Sequence, residues 1–288
     1  MRGKKMKKVI VSGGSGYVGS KLILALKEKG YEVENYDKPK DILNIGGLIQ
    51  AIRGKDIVYH LAALAELSYT DEHPQETYNV NIEGTNNMCR ICAENNVLLN
   101  FISTCCIYGD PLEIPSREDS LINPTDTYAM SKAAGEYIVK MWGLAKGLKY
   151  NIVRLGTVYG ESPSETRGDM AIQKFIRLAK EGKPIPIKGD GKQNRCFIHL
   201  DDLVRGLVAV AEKGIIGETI NLAGKEMISI QEIAELALKM GKSKEIIYLP
   251  LRKDDFRYQN IYLGKAKKLL GWEPRIRFED GFRRYYRK

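Results

Sequence analysis

Tyr128-Ala-Met-Ser-Lys132 sets a phenol and an ammonium four residues apart, which on a helix is one face. An ammonium beside a phenol stabilises the phenolate, so Tyr128 becomes able to take up and return a proton near neutral pH. The spacing alone is weak, because a chain with 16 tyrosines produces it by chance. Support comes from Ser103-Thr104, two hydroxyls at the C-terminal end of the apolar run 98–103. That run is a predicted strand, and open parallel sheets bind their ligands at that edge.

A second constellation lies near the N-terminus. Gly13-x-x-Gly16-x-x-Gly19 follows the β-branched run Val9-Ile10-Val11 and precedes Val18, Leu22, Ala25 and Leu26 at helical spacing, with Gly30 closing the segment. Glycines in that setting permit a tight turn and let backbone N–H groups approach a pyrophosphate. Asp37 ends the next predicted strand, about 20 residues on, where a carboxylate accepts from ribose hydroxyls and repels a 2′-phosphate. NAD is therefore expected rather than NADP, although Lys38 beside it would suit the latter.

The elements that must position these groups alternate. Strands at 9–11, 31–37, 56–61, 98–103 and 150–155 are separated by helical segments, which predicts an α/β chain with a Rossmann-type doubly wound parallel sheet. Beyond Gly160 the rhythm breaks into Gly182-Lys-Pro-Ile-Pro-Ile-Lys-Gly-Asp-Gly191, a helix at 202–212 and a strand at 218–222. Ser229-Ile-Gln-Glu232 is a capping box that opens another helix. We divide the chain into a dinucleotide-binding domain, 1–160 plus about 196–225, and a small interleaved α/β substrate domain, 161–195 and 226–288.

Composition narrows the function classes. The chain has 288 residues, 43% hydrophobic and 28% charged, as expected of a globular protein. No apolar run nears the roughly 18 residues of a membrane span, and the lysines of residues 1–8 lead into a strand rather than a signal core. No membrane association and a cytoplasmic location are expected. The net charge of +9 would suit nucleic acid or, equally, an enzyme drawing in phosphorylated substrates, but the basic residues are scattered except at the two ends, so a solvated basic surface is favoured over nucleic-acid binding. Arg283-Arg284-Tyr285-Tyr286-Arg287-Lys288 mixes basic and aromatic side chains, but only over six terminal residues. The cysteines at 89, 92, 105, 106 and 196 form no zinc-like pairing, and Cys89-x-x-Cys92 falls within a helical segment where packing explains it. No metal is expected, since His60, His73 and His199 lack a second ligand at metal spacing.

Taken together, several motifs resemble the extended short-chain dehydrogenase/reductases, the NDP-sugar epimerase/dehydratase family, with a UDP-glucose 4-epimerase-like pattern. They are the glycine triplet, Asp37, His60-Leu-Ala-Ala63, Asn81-Ile-Glu-Gly-Thr85, Ser103-Thr104-x-x-x-Tyr108-Gly109 and Tyr128-x-x-x-Lys132. Arg154-x-x-x-x-Tyr159-Gly160, Gly189-Asp-Gly191 with Arg195, Asp201-Asp202 and Leu270-Gly-Trp-Glu-Pro274 continue the pattern in the family's order. The resemblance implies a nucleotide-sugar substrate whose hydroxyl is deprotonated by Tyr128, with Thr104 bonding the reacting oxygen and Lys132 both tuning Tyr128 and binding the nicotinamide ribose. It also implies that Tyr17 and Val18 belong to the cofactor turn, that Asp41 and Ile42 touch adenine, and that Leu61, Ala62, Ala63 and Asn81 line the cofactor. Arg195 and Arg257 would face the substrate diphosphate, as suits a planar fork of donors. A homodimer, paired through the helices that follow Asn81 and Tyr128, is implied as well.

The departures from that pattern are informative. Only three residues separate Asp37 from Asp41, so the sheet is expected to lack its third strand or keep a stub of it. Thr157 replaces the usual Asn of the substrate-phosphate motif, retaining one donor. Cys105 and Cys106 stand where the family's dehydratases carry an Asp-Glu pair and its decarboxylases a Glu. The expected activity is thus an NAD-dependent UDP-sugar 4-epimerase working through a keto intermediate. The alternative is a 3,5-epimerase or keto-deoxysugar reductase type that uses Cys106 as a proton carrier, with a dehydratase or decarboxylase ranked below it. That type's partner acid, a His or Lys, has no match at 161–166.

Overall fold

The computed structural model describes residues 6–164, 171–251 and 256–287. Lys4, Lys5, Lys288 and the 165–166 part of the segment searched for a partner acid lie outside the described residues.

The first half of the chain runs β1 (Lys8–Ser12), α1 (Tyr17–Glu28), β2 (Glu32–Tyr36), α2 (Ile45–Ile52), β3 (Ile57–His60), α3 (Leu67–Glu72), α4 (Pro74–Thr77), α5 (Gly84–Glu94), β4 (Leu98–Thr104), α6 (Thr127–Lys146) and β5 (Tyr150–Leu155). A π-helical turn, Tyr78–Glu83, joins α4 to α5, and a 3-10 turn, Cys105–Tyr108, follows β4. The second half runs β6 (Thr157–Tyr159), α7 (Ala171–Glu181), β7 (Ile185–Lys188), β8 (Asn194–His199), α8 (Leu200–Lys213), β9 (Glu218–Leu222), β10 (Met227–Ser229), α9 (Ile230–Met240), β11 (Ile246–Leu249), α10 (Gly264–Leu270) and α11 (Phe278–Tyr286).

Six strands form a parallel sheet in the order β2-β1-β3-β4-β5-β9. Apolar side chains of α1, α8 and α10 cover one face, and those of α2, α5 and α6 cover the other. The central strands are accordingly apolar on both faces: Val9, Ile10 and Val11 are all buried. The chain steps from β1 outward to β2 and then back across to β3, so the C-terminal ends of β1 and β3 flank a crevice at the switch point. This is the expected Rossmann-type fold.

The shortened connection after Asp37 has the expected effect. Among the described residues no strand lies between β2 and β3, and β2 is the sheet's edge. Asn44 starts α2 at once, its side chain accepting from Gly47 N at 3.0 Å.

The smaller unit contains the three-stranded β10-β8-β6 sheet, the β11-β7 pair and a core shared by α7, α9 and α11. The Ser229–Glu232 capping box is present at the start of α9. One segment sits differently from the sequence division: α10 and Trp272 pack into the core of the large sheet beside α8. Asp202, buried on α8, holds them there. Its Oδ2 accepts from Arg275 N and Ile276 N at 2.7 Å each, and its carbonyl accepts from Trp272 Nε1 at 3.0 Å. Among the described residues no helix is long and apolar enough to cross a membrane.

Candidate active site

The glycine turn is built for close approach. Gly13 has φ +72°, and a Cβ there would stand 2.7 Å from Ala62 N, so only glycine lets the turn lie against the loop after β3. A Cβ at Gly19 would collide with Gly13 O. Gly16 differs, because a Cβ there would meet only Gly13 O, at 3.1 Å, and otherwise open space. No side chain caps α1 at Gly16 and no acid occupies its first turn. Uncapped N–H groups at the positive end of a 12-residue helix fit a pyrophosphate.

Asp37 closes the same crevice. One carboxylate oxygen accepts from Ser15 N and the other from Lys38 N, each at 2.8 Å, leaving lone pairs for ribose hydroxyls. The Tyr17 ring is buried and its hydroxyl donates to Gly160 O, so its backbone N–H is what the turn offers; Val18 packs against the core. Asp41 is exposed, and Ile42 is buried within the second core, against Gly84.

Leu61, Ala62 and Ala63 are half-buried in the loop that follows β3. Asn81, on the π-helical turn, is 1% exposed and clamps this loop: its Oδ1 accepts from Leu64 N at 2.8 Å and its Nδ2 donates to Leu64 O at 2.9 Å. Nδ2 also donates to Ser131 Oγ at 2.9 Å, and Ser131 in turn donates to Tyr128 O at 2.7 Å. The whole amide thus joins the loop after β3 to the first turn of α6. Beneath it, Thr85 donates to Asn81 O at 2.6 Å, so His60 Nε2 must be the donor to Thr85 Oγ1 at 3.1 Å while its Nδ1 accepts from Ser12 at 2.7 Å. Burial, aided by the charge of Lys132, pushes His60 down to about 3, so this imidazole is a neutral structural link.

The three groups singled out for chemistry stand on neighbouring elements. Thr104 ends β4, 6% exposed; its Oγ1 accepts from Cys106 N at 3.1 Å, which leaves the O–H free to donate. Tyr128 is half-buried in the first turn of α6, one turn before Lys132. Lys132 is 2% exposed, with Nζ 4.3 Å from the centre of the Phe101 ring on β4. Among the described residues Nζ makes no hydrogen bond or ion pair. Burial lowers its pKa to about 7, opposed by the Glu136 carboxylate.

Of the residues expected to face the substrate, Thr157 is half-buried on β6 and pairs with Phe197 of β8. Arg195 on β8 lies with its guanidinium 3.7 Å from the Phe256 ring centre, and Nη1 donates to Asn194 O at 2.7 Å. Asn194 N donates to Arg257 O at 3.0 Å, so the two arginines are brought onto adjacent segments. Arg257 is exposed and its Nη1 is 3.2 Å from Asp190 Oδ2. Asp110, just after Gly109, accepts from Arg257 N at 2.5 Å and Tyr258 N at 3.2 Å, tying the loop beyond Thr104 to the arginine segment.

Residues 9–223 match the model of the NAD dependent epimerase/dehydratase family. The chain belongs to that family. It is 38% identical over 231 residues to the UDP-glucuronate 4-epimerase of Thermodesulfobacterium geofontis, covering 79% of this chain and 70% of that one. It is 30% identical to UDP-glucuronic acid decarboxylase 1 of Arabidopsis thaliana, over 98% of this chain and 69% of that one. Among solved structures, the UDP-glucuronic acid 4-epimerase of Bacillus cereus, in complex with UDP-glucuronic acid and NAD, superposes with a TM-score of 0.90 at 31% identity, covering 97% and 98% of the two chains. The NAD dependent epimerase/dehydratase family is enzymatic, and its named relatives act on UDP-sugars by more than one reaction type.

Within this epimerase/dehydratase chain, sequence reasoning passed over a buried network. Glu136, one turn beyond Lys132, accepts from Arg154 Nε at 2.9 Å, Arg154 Nη2 at 2.7 Å and Ser103 Oγ at 2.6 Å. Arg154 Nη1 donates to Tyr108 OH at 2.8 Å and Glu118 O at 3.0 Å. The available signal was an acid on the buried face of α6, four residues from Lys132. The two adjacent thiols also separate. Cys105 is buried, its Sγ 3.6 Å from Arg154 O, and burial holds it protonated; Cys106 is half-buried.

Proposed function

We propose that the chain is an NAD-dependent 4-epimerase of a UDP-sugar, with a UDP-hexuronic acid as the first substrate to test. One observation carries the reading: the turn after Thr104, Cys105–Tyr108, contains no carboxylate, and Cys105 is sealed inside. Dehydration and decarboxylation in this family resemblance require an acid at that place, whereas inversion of a carbinol carbon needs one base used twice. Tyr128 takes the proton of the reacting hydroxyl and later returns it. Lys132 holds the phenolate, and Thr104 donates its O–H to the reacting oxygen. NAD, when bound, supplies a reversible two-electron acceptor. The N-terminus of α1, Asp37 and Lys132 hold it, and Arg195 and Arg257 meet the substrate diphosphate.

The test is a panel of UDP-sugars with product separation. The expected result is interconversion of a C4 pair with no net change in NADH absorbance, abolished by Tyr128→Phe with cofactor retained. Release of carbon dioxide from UDP-glucuronate would move the chain to the decarboxylases. The half-buried Cys106 beside Thr104 favours one second reading, proton transfer at a carbon next to the keto group; full activity in Cys106→Ser removes it.

A homodimer is part of the proposal. On α6, Met130, Tyr137, Met141 and Leu144 are exposed at helical spacing, an apolar stripe that a second copy would cover.

A further inference from the structure

Lys132 is an ammonium in an unusual position. Its side chain is buried, the partner of its Nζ among the described residues is an aromatic face, and the carboxylate of its own helix four residues on is paired with Arg154. Glu136 is 1% exposed and accepts three hydrogen bonds, two of them from one guanidinium in parallel. Such a carboxylate is held in place by its three donors. It is therefore a fixed negative charge on the same helix face as the lysine.

Other groups near the lysine do not supply that charge. Tyr128 precedes it by one turn; His60 of β3 is neutral; Cys105 and Tyr108 of the following turn are held protonated by burial. Arg154 of β5 is a second cation, lying beyond Glu136. Of the acids on elements packed on α6, Asp71, Glu72, Glu76 and Glu94 are exposed and Glu83 is half-buried, while Asp126, buried at the N-cap of α6, accepts from Ala129 N at 2.7 Å; among the described residues Glu136 is the carboxylate that raises the lysine's pKa.

We propose that Glu136 is a positioning residue for the proton chemistry: clamped by Arg154 and Ser103, its carboxylate keeps Lys132 charged beside Tyr128 and so governs the pH at which Tyr128 gives up its proton. The arrangement has a second effect. Register places Ser103 beside Arg154, so the same clamp bolts the strand end carrying Thr104 to the helix carrying Tyr128 and Lys132. The inference rests on the proposed role of Tyr128 and Lys132, but its primary readout does not depend on which sugar is turned over.

The experiment follows Lys132 by NMR of 13C-methylated lysines in the chain as purified, with Lys132→Met assigning the signal. Two variants are compared with the parent. Glu136→Gln/Arg154→Met removes both charges of the pair together, so that no lone buried ion remains. Glu136→Asp keeps the charge but withdraws it by one methylene. The Lys132 titration midpoint is expected to fall by about one pH unit or more in the double variant, and by less in Glu136→Asp. The acid limb of the activity profile should move upward in step, with KM unchanged. A Lys132 midpoint equal to the parent's in a folded variant overturns the proposal; if the double variant does not fold, Glu136→Asp decides alone. Failure of the function proposal looks different: the parent chain then epimerises no UDP-sugar while Lys132 still responds to Glu136.

Discussion

Arg154 and Glu136 form a bidentate ion pair, 2.7 and 2.9 Å, that is almost wholly buried between β5 and α6. Glu136 shares α6 with Tyr128 and Lys132, two of the groups proposed for catalysis. Ser103 joins the pair from β4 and Tyr108 from the turn beyond Thr104, so it fixes how the strand end meets the helix.

Removing one partner of that pair should cost far more than removing both. Arg154→Ala leaves a buried carboxylate without a counter-ion, and about 3 to 5 kcal/mol of stability is expected to be lost. Glu136→Gln/Arg154→Met should lose clearly less. Urea unfolding of the single and double variants checks this, and additive losses would contradict it.

Lys132 predicts a pH dependence of stability. Its pKa is about 7 in the fold against an ordinary 10.5, so between those values the unfolded chain binds a proton that the folded chain does not. Stability from this group therefore rises with pH across that window, by at most about 1.4 kcal/mol per unit, and its penalty is complete below pH 7. Lys132→Met should be more stable than the parent near pH 6.5, with the advantage vanishing near pH 10. Denaturation midpoints at the two pH values decide it.

Asp37 should determine cofactor choice. Asp37→Ala removes the ribose acceptor and the anchor of Ser15 N, and about a 10- to 100-fold loss of NAD affinity is expected with a relative gain for NADP. Calorimetric titration with both cofactors measures the ratio. Unchanged preference would place the ribose elsewhere.

Thr104 has one free donor, and its loss should be felt in turnover rather than in binding. Thr104→Ala is expected to lower kcat about 100-fold while leaving KM within a few-fold, since the bond strengthens as charge develops on the reacting oxygen. Steady-state kinetics on whichever UDP-sugar is active tests it. An equal loss in KM alone would reassign Thr104 to substrate binding.

Much of the site was legible because its signals are local. Gly13, Gly16 and Gly19 act through backbone geometry within one turn, Asp37 through its position at a strand end, and Tyr128 with Lys132 through helical spacing. The three residues between Asp37 and Asp41 likewise announced a sheet that ends at β2, since so short a connection cannot hold a strand and a helix. Asn81 was harder. A motif led to the expectation that it lines the cofactor, but its amide is committed to Leu64 and Ser131, and such partners are set by how a π-helical turn docks on α6.

The sequence by itself determined the α/β alternation, the dinucleotide turn and the identities of the phenol, ammonium and hydroxyl, because periodicity and short-range spacing encode each of them. Only the tertiary structure decided that Glu136 belongs to Arg154, that Cys105 faces inward while Cys106 stays half-buried, and that Trp272 joins the large core. Those choices depend on strand register, which sets Ser103 against Arg154 and Arg154 against Asn221, and on the burial that register creates. Neither quantity is carried by any one segment of the chain.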